Sequence, residues 1–391
     1  MMARFAPDGR LRFVTALALS LSLALPGCAS SGGVEGEGEG EPQTVSDESV
    51  EEATAGGPVR LNSGSVTGTA HALGGGYIFV GEQDLDADCD ARGHIRRVTL
   101  AGNARTAGDE FLTVTGAVSD IDVVGDQVYY SVITGCGLAG GYLARRPVAG
   151  GAETVLMRVG ASPEASGING VYEFAVRGDT VYALVQQEGH TTIRSMPLAG
   201  GRQTVVADFS TLADAENFGF TNLQADASAV YVHEENTSSL WRIPVGYRGT
   251  LAQLPAFPNA RLPVGDYLLA NDKVYFVAGD RGDRVMVTSS ATPTTPSTIV
   301  WPGAAVRSIS DLAADAGNVY FFGELDRAIY RYDLAARRVV RLARSLTVDS
   351  AAEENNLSTD GTNLYWMQLL ERTNREAGIA PMRLAKTWLP R

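Results

Sequence analysis

The chain has 391 residues, 44 of them Gly and 45% of them hydrophobic, and carries a formal net charge of −13. Short runs rich in Val, Tyr, Thr and Leu, with no long amphipathic stretch, point to strands and tight turns around a substantial core. Acidic residues outnumber basic ones 45 to 32 and no basic stripe appears, which speaks against nucleic acid as a partner.

At the N-terminus, Arg4, Arg10 and Arg12 precede an almost uncharged apolar run from Phe13 to Leu25. That is the order of charge and hydrophobicity in an export signal, and the run is too short for a good membrane span. It ends Leu25-Pro26-Gly27-Cys28-Ala29-Ser30. These residues resemble the lipobox of bacterial lipoproteins, with Leu three positions before a Cys and a small residue directly before it. The resemblance implies that residues 1–27 are a signal peptide and that Cys28 is the lipidated first residue of the mature chain. Ala29 stands where lipoproteins kept in the inner membrane carry Asp, so the resemblance also implies the outer membrane. Two or more acyl chains on one residue make a stable anchor, at about 0.8 kcal/mol per buried CH₂.

Residues 28–57 follow as a tether. Glu35, Glu37, Glu39 and Glu41 alternate with Gly, and Asp47, Glu48, Glu51 and Glu52 come next, with almost no large apolar residue. Such a stretch buries too little surface to offset its ordering entropy and repels itself into an extended form. Eight of the 45 acidic residues lie here, so the remainder of the chain is less acidic than the whole.

From residue 58 to 391 one short pattern recurs seven times: an apolar pair, a turn of Gly, Asp or Asn, then apolar-aromatic-apolar. The copies begin at Tyr77, Val128, Val181, Val230, Val274, Val319 and Leu364. About 15 residues after most copies comes apolar-x-Arg-apolar-x-apolar, often closed by Ala-Gly-Gly, as in Leu143 to Gly151 and Leu240 to Val245. Weaker versions start at Ile95, Val285 and Ile329. Each unit reads as three or four antiparallel strands with two apolar faces, which only stacking against neighbours can bury. The expectation is an all-β β-propeller of about seven blades, each a four-stranded antiparallel sheet. The repeat resembles YWTD-type and related propeller repeats, an aromatic second strand followed by an Ile-x-Arg third strand and a Gly turn. The last unit runs out of residues, so Val59-Arg60-Leu61 is expected to complete it and seal an exposed edge.

Counting eight residues back from each aromatic strand gives Thr69, Asp120, Glu173, Asn222, Asp266, Asp311 and Asn356, expected near the channel mouth. Two roles compete. The residues form an oxygen ring for a hard cation such as Ca²⁺ or for a cationic ligand group, or they tie neighbouring blades together through backbone N–H groups. A second acidic set, Asp84, Asp86, Asp88 and Asp90, alternates as calcium loops do, yet lacks their Gly and distal Glu; it also reads as a solvated loop. Cys89 and Cys136, in comparable loops of adjacent units, are expected to form a disulfide in an oxidising envelope. His71, His94, His190 and His233 show no metal-ligand spacing, and no nucleophile elbow or phosphate loop occurs. Arg281-Gly282-Asp283 falls where a hairpin turn is needed.

The functional expectation is an envelope-anchored binding or scaffolding propeller, with a protein, peptide or glycan partner and no certain cofactor. The alternative is a metal-dependent hydrolase or lactonase with Ca²⁺ held by Asp120, Glu173, Asp266 and Asp311.

Overall fold

The computed structural model describes residues 59–60, 67–83, 92–100, 108–135, 140–160, 169–212, 219–235, 237–247, 250–251, 254, 264–279, 282–293, 296–300, 308–325, 327–343, 357–369 and 382–388. Among them are 27 strands, in chain order. A lone strand β1 (Val59–Arg60) is followed by blade 1: β2 (Thr67–Gly74), β3 (Tyr77–Gln83), β4 (Arg92–Thr99) and β5 (Asp109–Thr115). Blade 2 holds β6 (Ala117–Val124), β7 (Gln127–Thr134), β8 (Gly140–Pro147) and β9 (Thr154–Gly160). Blade 3 holds β10 (Gly170–Arg177), β11 (Thr180–Gln187), β12 (His190–Pro197) and β13 (Thr204–Asp208). Blade 4 has β14 (Phe220–Ala225), β15 (Ala229–Glu234) and β16 (Ser239–Pro244). Blade 5 comprises β17 (Val264–Ala270), β18 (Lys273–Ala278), β19 (Arg284–Ser289) and β20 (Ser297–Val300). Blade 6 comprises β21 (Ile309–Ala314), β22 (Asn318–Gly323), β23 (Ala328–Asp333) and β24 (Arg338–Ala343). Blade 7 is β25 (Leu357–Thr359), β26 (Asn363–Leu369) and β27 (Met382–Trp388).

These make seven separate antiparallel sheets, six of four strands and one, blade 4, of three among the described residues. The fourth strand of blade 7 is β1, which pairs Val59 with Lys386 and Arg60 with Ala385. The chain therefore closes its ring by lending an N-terminal strand to the last sheet, which covers an edge that would otherwise invite pairing. Leu61, expected in the same strand, lies outside the described residues. The first strands of successive sheets are neighbours in turn, from β2 through β6, β10, β14, β17 and β21 to β25. His71 and Ser358 join blade 1 to blade 7, with Nε2 and Oγ 2.8 Å apart. The fold is a seven-bladed β-propeller.

The core shows why no blade stands alone. Among the described residues six apolar clusters form, and each draws its residues from two adjacent sheets. Successive side chains on a strand point to opposite faces. Tyr130 and Val132 accordingly pack toward Phe79, Ile95 and Phe111 of blade 1. Tyr129, the residue before Tyr130, packs toward Phe174 and Val181 of blade 3. The aromatic triplet at the centre of every repeat is thus a two-sided wedge. Tyr231, Tyr275, Tyr320 and Tyr365, at its middle position, are 0–1% exposed.

Pairing corrects one part of the repeat alignment. Gly74 pairs with Tyr77 and Leu73 with Ile78, as Val124 pairs with Gln127 and Val123 with Val128. Ile78-Phe79-Val80, and not Tyr77-Ile78-Phe79, is therefore the equivalent of Val128-Tyr129-Tyr130. Tyr77 lies at the turn end of the strand, half-buried, beneath the guanidinium of Arg97.

Candidate functional site

The shifted register moves the predicted ring in blade 1. Ala70 pairs with Gly81 as Asp120 pairs with Ser131, so Ala70 occupies the position assigned to Thr69. Thr69 is instead the unpaired residue of the β-bulge between Gly68 and Ala70, and blade 1 has no side-chain oxygen at the ring position. Asn356 falls outside the described residues, as do Cys28, Asp84, Asp86, Asp88, Asp90, Cys89 and Cys136.

The other five ring residues sit at or beside a β-bulge in the first strand of their blades. Bulges re-aim a side chain out of the ordinary alternation. Asn222 and Asp311 are left-handed there, with φ of 55° and 53°, a conformation that Asn and Asp tolerate better than other side-chain-bearing residues. Their polar identity is in part a backbone requirement.

Their hydrogen bonds run from blade to blade. Asp120 Oδ2 accepts from the backbone N–H of Phe174 at 2.9 Å. Glu173 Oε2 accepts from Leu223 N–H at 2.6 Å, and Asp266 Oδ2 from Leu312 N–H at 2.8 Å. In every case the donor directly follows the ring residue of the next blade. Asn222 completes the series between blades 4 and 5, its Nδ2 donating to Asp266 Oδ1 at 2.8 Å and to the Tyr267 carbonyl at 3.0 Å. Gln224 reinforces that seam by accepting from Leu269 N–H at 2.7 Å.

Burial makes Asp120 and Asp266 reluctant to ionise. Asp120 is pushed well above the usual carboxylate range by loss of solvent and then by Glu173, against the opposing pull of Phe174 N–H. Asp266 is raised to about 7 by burial and by Asp311, despite the N–H groups of Leu312 and Tyr267 and the amide of Asn222. Asp122 is raised by burial too. Among the described residues, no group of three or more His, Cys, Asp or Glu side chains is placed to share a metal ion. The histidines are likewise dispersed: His71 is held neutral, its pKa lowered to about 4 by burial, and His94 contacts Thr113 and Glu110.

A second set of ties was not anticipated. In blades 1 and 4 the Arg of the third strand reaches the following blade: Arg97 Nη1 donates to the Val148 carbonyl at 2.9 Å, and Arg242 Nε to the Ser290 carbonyl at 3.1 Å. Val148 and Ser290 are equivalent positions, since each N–H closes the turn of its own blade, onto Asp126 and Asp272 respectively. Arg242 also donates to Tyr231 Oη, Ser228 Oγ and the Ala291 carbonyl. At the blade 1–2 seam, where Ala70 offers no inner tie, Arg146 answers Arg97 by donating back to the Phe111 carbonyl at 2.7 Å. Both guanidinium groups lie over the Phe111 ring, at 5.7 and 5.0 Å. The ring residues and these third-strand arginines are therefore inner and outer inter-blade fastenings at the seams they span. Gly282, in the Arg-Gly-Asp tripeptide, is left-handed and donates to the Gly279 carbonyl, as a turn residue does.

Solved structures share this architecture. The chain is similar to a streptogramin B lyase at 13% identity and a TM-score of 0.55, over 84% of this chain and 96% of that one. It is similar to an oligogalacturonate lyase in complex with manganese at 14% identity and 0.54, over 81% and 86%. A third likeness is to YCF48 from Cyanidioschyzon merolae at 11% identity and 0.50, over 85% and 98%. At these identities the likeness is one of fold alone. No protein-family model matches the chain, and no curated protein does.

Proposed function

We propose that this protein is an outer-membrane lipoprotein, anchored through Cys28, whose propeller is a rigid binding scaffold for another component of the envelope. The observation that carries the scaffold reading is the use of the ring carboxylates. Oxygens of Asp120, Glu173 and Asp266 are engaged by N–H groups of the next blade, which suits them to holding the ring together more than to ligating an ion or moving protons. A ring fastened at both radii keeps the loops at its two ends in fixed relation, and such loops are where propellers recognise partners. The order Leu25-Pro26-Gly27-Cys28 and the acidic tether after it support anchoring at a distance from an anionic surface.

The test is crosslinking in the native envelope followed by pull-down and mass spectrometry, with Cys28→Ala as the unanchored form. A near-stoichiometric envelope component that is lost in Cys28→Ala is the expected result. Membrane association that survives Cys28→Ala overturns the anchor, and an absence of any enriched component overturns the scaffold.

A further inference from the structure

A groove of about 540 Å³ opens between blades 1 and 2, with β5 on one side and β8 and β9 on the other. Its polar lining includes Thr113, Thr115, Tyr142, Glu153 and Arg158, with Gly160 at the rim. The volume falls within the usual range for small-ligand sites, about 300–1,000 Å³. Gly160 is exposed, and nothing lies within 4 Å of where its Cβ would stand, so that end is open to solvent.

The side chains around it are held in place, yet much of their hydrogen-bonding capacity is unused. The Arg158 guanidinium lies over the Tyr142 ring at 5.4 Å and is otherwise exposed. Tyr142 is half-buried and its phenol is pushed up to about 12, by burial first and then by Glu153, so it stays a neutral hydroxyl. Glu153 is fixed from behind by the Tyr130 hydroxyl, which donates to Oε2 and leaves Oε1 for the groove. Thr115 presents an exposed hydroxyl on β5.

The composition of this lining discriminates between ligand classes. Glu153 disfavours a phosphate or carboxylate, Arg158 disfavours a cation, and the aliphatic lining residues Val114 and Val159 are themselves buried, which gives an apolar molecule little to bury against. A carboxylate and a guanidinium flanking an aromatic ring and several hydroxyls satisfy a ligand that offers alternating donors and acceptors over an apolar face. Neutral sugars have that character. Hydrogen bonds between sugar hydroxyls and an ionised carboxylate or guanidinium are charge-assisted and stronger than neutral ones, and the Tyr142 ring adds apolar surface for the C–H face.

We infer that the groove between blades 1 and 2 binds a neutral oligosaccharide, with Arg158, Glu153 and Tyr142 as its contacts. The inference rests on the reading of the propeller as a binding scaffold and names one of its ligand classes.

The test uses the full-length protein in detergent and a panel of defined neutral oligosaccharides built from glucose, N-acetylglucosamine or mannose, with oligogalacturonate as the anionic comparison, read by calorimetry. One neutral series is expected to bind. Arg158→Ala, Glu153→Gln and the groove-filling Gly160→Trp should each weaken it at least tenfold while leaving the melting temperature in place. Arg202→Ala, on blade 3, should bind as wild type. Preference for the anionic oligomer, no binding by any neutral series, or affinity unchanged in both Arg158→Ala and Gly160→Trp overturns the inference. An envelope component still crosslinked by Arg158→Ala and Gly160→Trp in the absence of sugar binding would leave the scaffold standing while the glycan site fell.

Discussion

The hydroxyl of Tyr320 donates to Asp315 Oδ2 at 2.7 Å, joining the wedge tyrosine of blade 6 to the turn that leads into its strand. Asp315 Oδ1 meanwhile accepts from the N–H groups of Gly317 and Asn318, both at 2.8 Å. Blade 7 repeats the contact between Tyr365 and Asp360 at 2.8 Å. One carboxylate thus shapes a turn and accepts from a buried phenol. Burial alone would raise Asp315, but the bonds from Tyr320, Gly317 and Asn318 outweigh it and hold the carboxyl below its usual range.

A folded-state pKa below the unfolded one contributes stability that is present above about pH 4 and is lost as the pH falls through the folded value. Tyr320→Phe should cost about 0.5–1.5 kcal/mol, one ordinary hydrogen bond, and Asp315→Ala about 1–3 kcal/mol, since it takes the acceptor from the phenol and from two turn amides. Urea unfolding at pH 7 and pH 3 checks this. The Asp315→Ala deficit should shrink at pH 3, and an equal deficit at both pH values would mean that the carboxylate charge contributes nothing.

Asp266 should behave with the opposite sign. Its folded pKa is raised to about 7, so its favourable contribution is complete below about pH 4 and is lost as the pH rises toward and through 7. Asp266→Asn abolishes that titration. It also turns an amide N–H₂ toward Tyr267 N–H or Leu312 N–H, at a cost of about 1–3 kcal/mol. Across pH 4.5 to 8 the wild type should lose stability relative to Asp266→Asn, and parallel curves would show that another group titrates.

Much of the fold was legible because each blade repeats the same hydrophobic wedge. Val128-Tyr129-Tyr130 or Val319-Tyr320-Phe321 can be recognised without knowing what lies opposite. Blade 1 misled because Tyr77 is aromatic and adjoins Ile78-Phe79, so an alignment by residue type slips by one. Only the two-residue turn at Gly75-Gly76, which pairs Gly74 with Tyr77, sets the register. The purpose of the ring was less legible. Asp120 is read by type, but its donor, Phe174 N–H, lies 54 residues away. The reach of Arg97 across 51 residues to the Val148 carbonyl is invisible for the same reason.

The outer fastening predicts a seam-specific defect. Arg242→Ala removes charged donors from the Ser290 and Ala291 carbonyls and from Ser228 Oγ, for about 1.5–3 kcal/mol. Lys at this position offers one compact ammonium in place of a planar fork and should restore only part. Hydrogen exchange should accelerate in β16 and β19 well before β7 and β11. Uniform acceleration around the ring would show that Arg242 supports blade 4 internally and does not fasten it to blade 5.

If the ring carboxylates serve as ties, chelation and substitution should separate. Excess EDTA should leave the melting temperature unchanged, while Asp120→Ala, which strands the Phe174 amide, should lower stability by about 1–3 kcal/mol. A melting temperature that falls on chelation in the wild type but not in Asp120→Ala would place a cation at the ring and favour a metal-dependent activity.

The ring closure makes the last prediction. Strand β1 contributes only Val59 and Arg60, yet it covers the outer edge of β27 and ties the start of the propeller to its end. Two truncations isolate its effect: one begins at residue 56 and keeps the strand, the other begins at residue 64 and lacks it. The first removes only the signal peptide, Cys28 and most of the tether, and its propeller should melt as that of the intact protein does. The second gives up the hydrogen bonds of two ladder pairs, each about 0.5–1.5 kcal/mol, and exposes β27 as an unprotected edge, so it should melt several degrees lower and aggregate on warming. Adding a synthetic peptide of residues 56–63 in excess should then raise the melting temperature of the shorter form, because a ligand that binds only the folded state stabilises it by mass action. Identical melting of the two truncations would mean that the ring holds without its borrowed strand, through contacts such as His71 with Ser358.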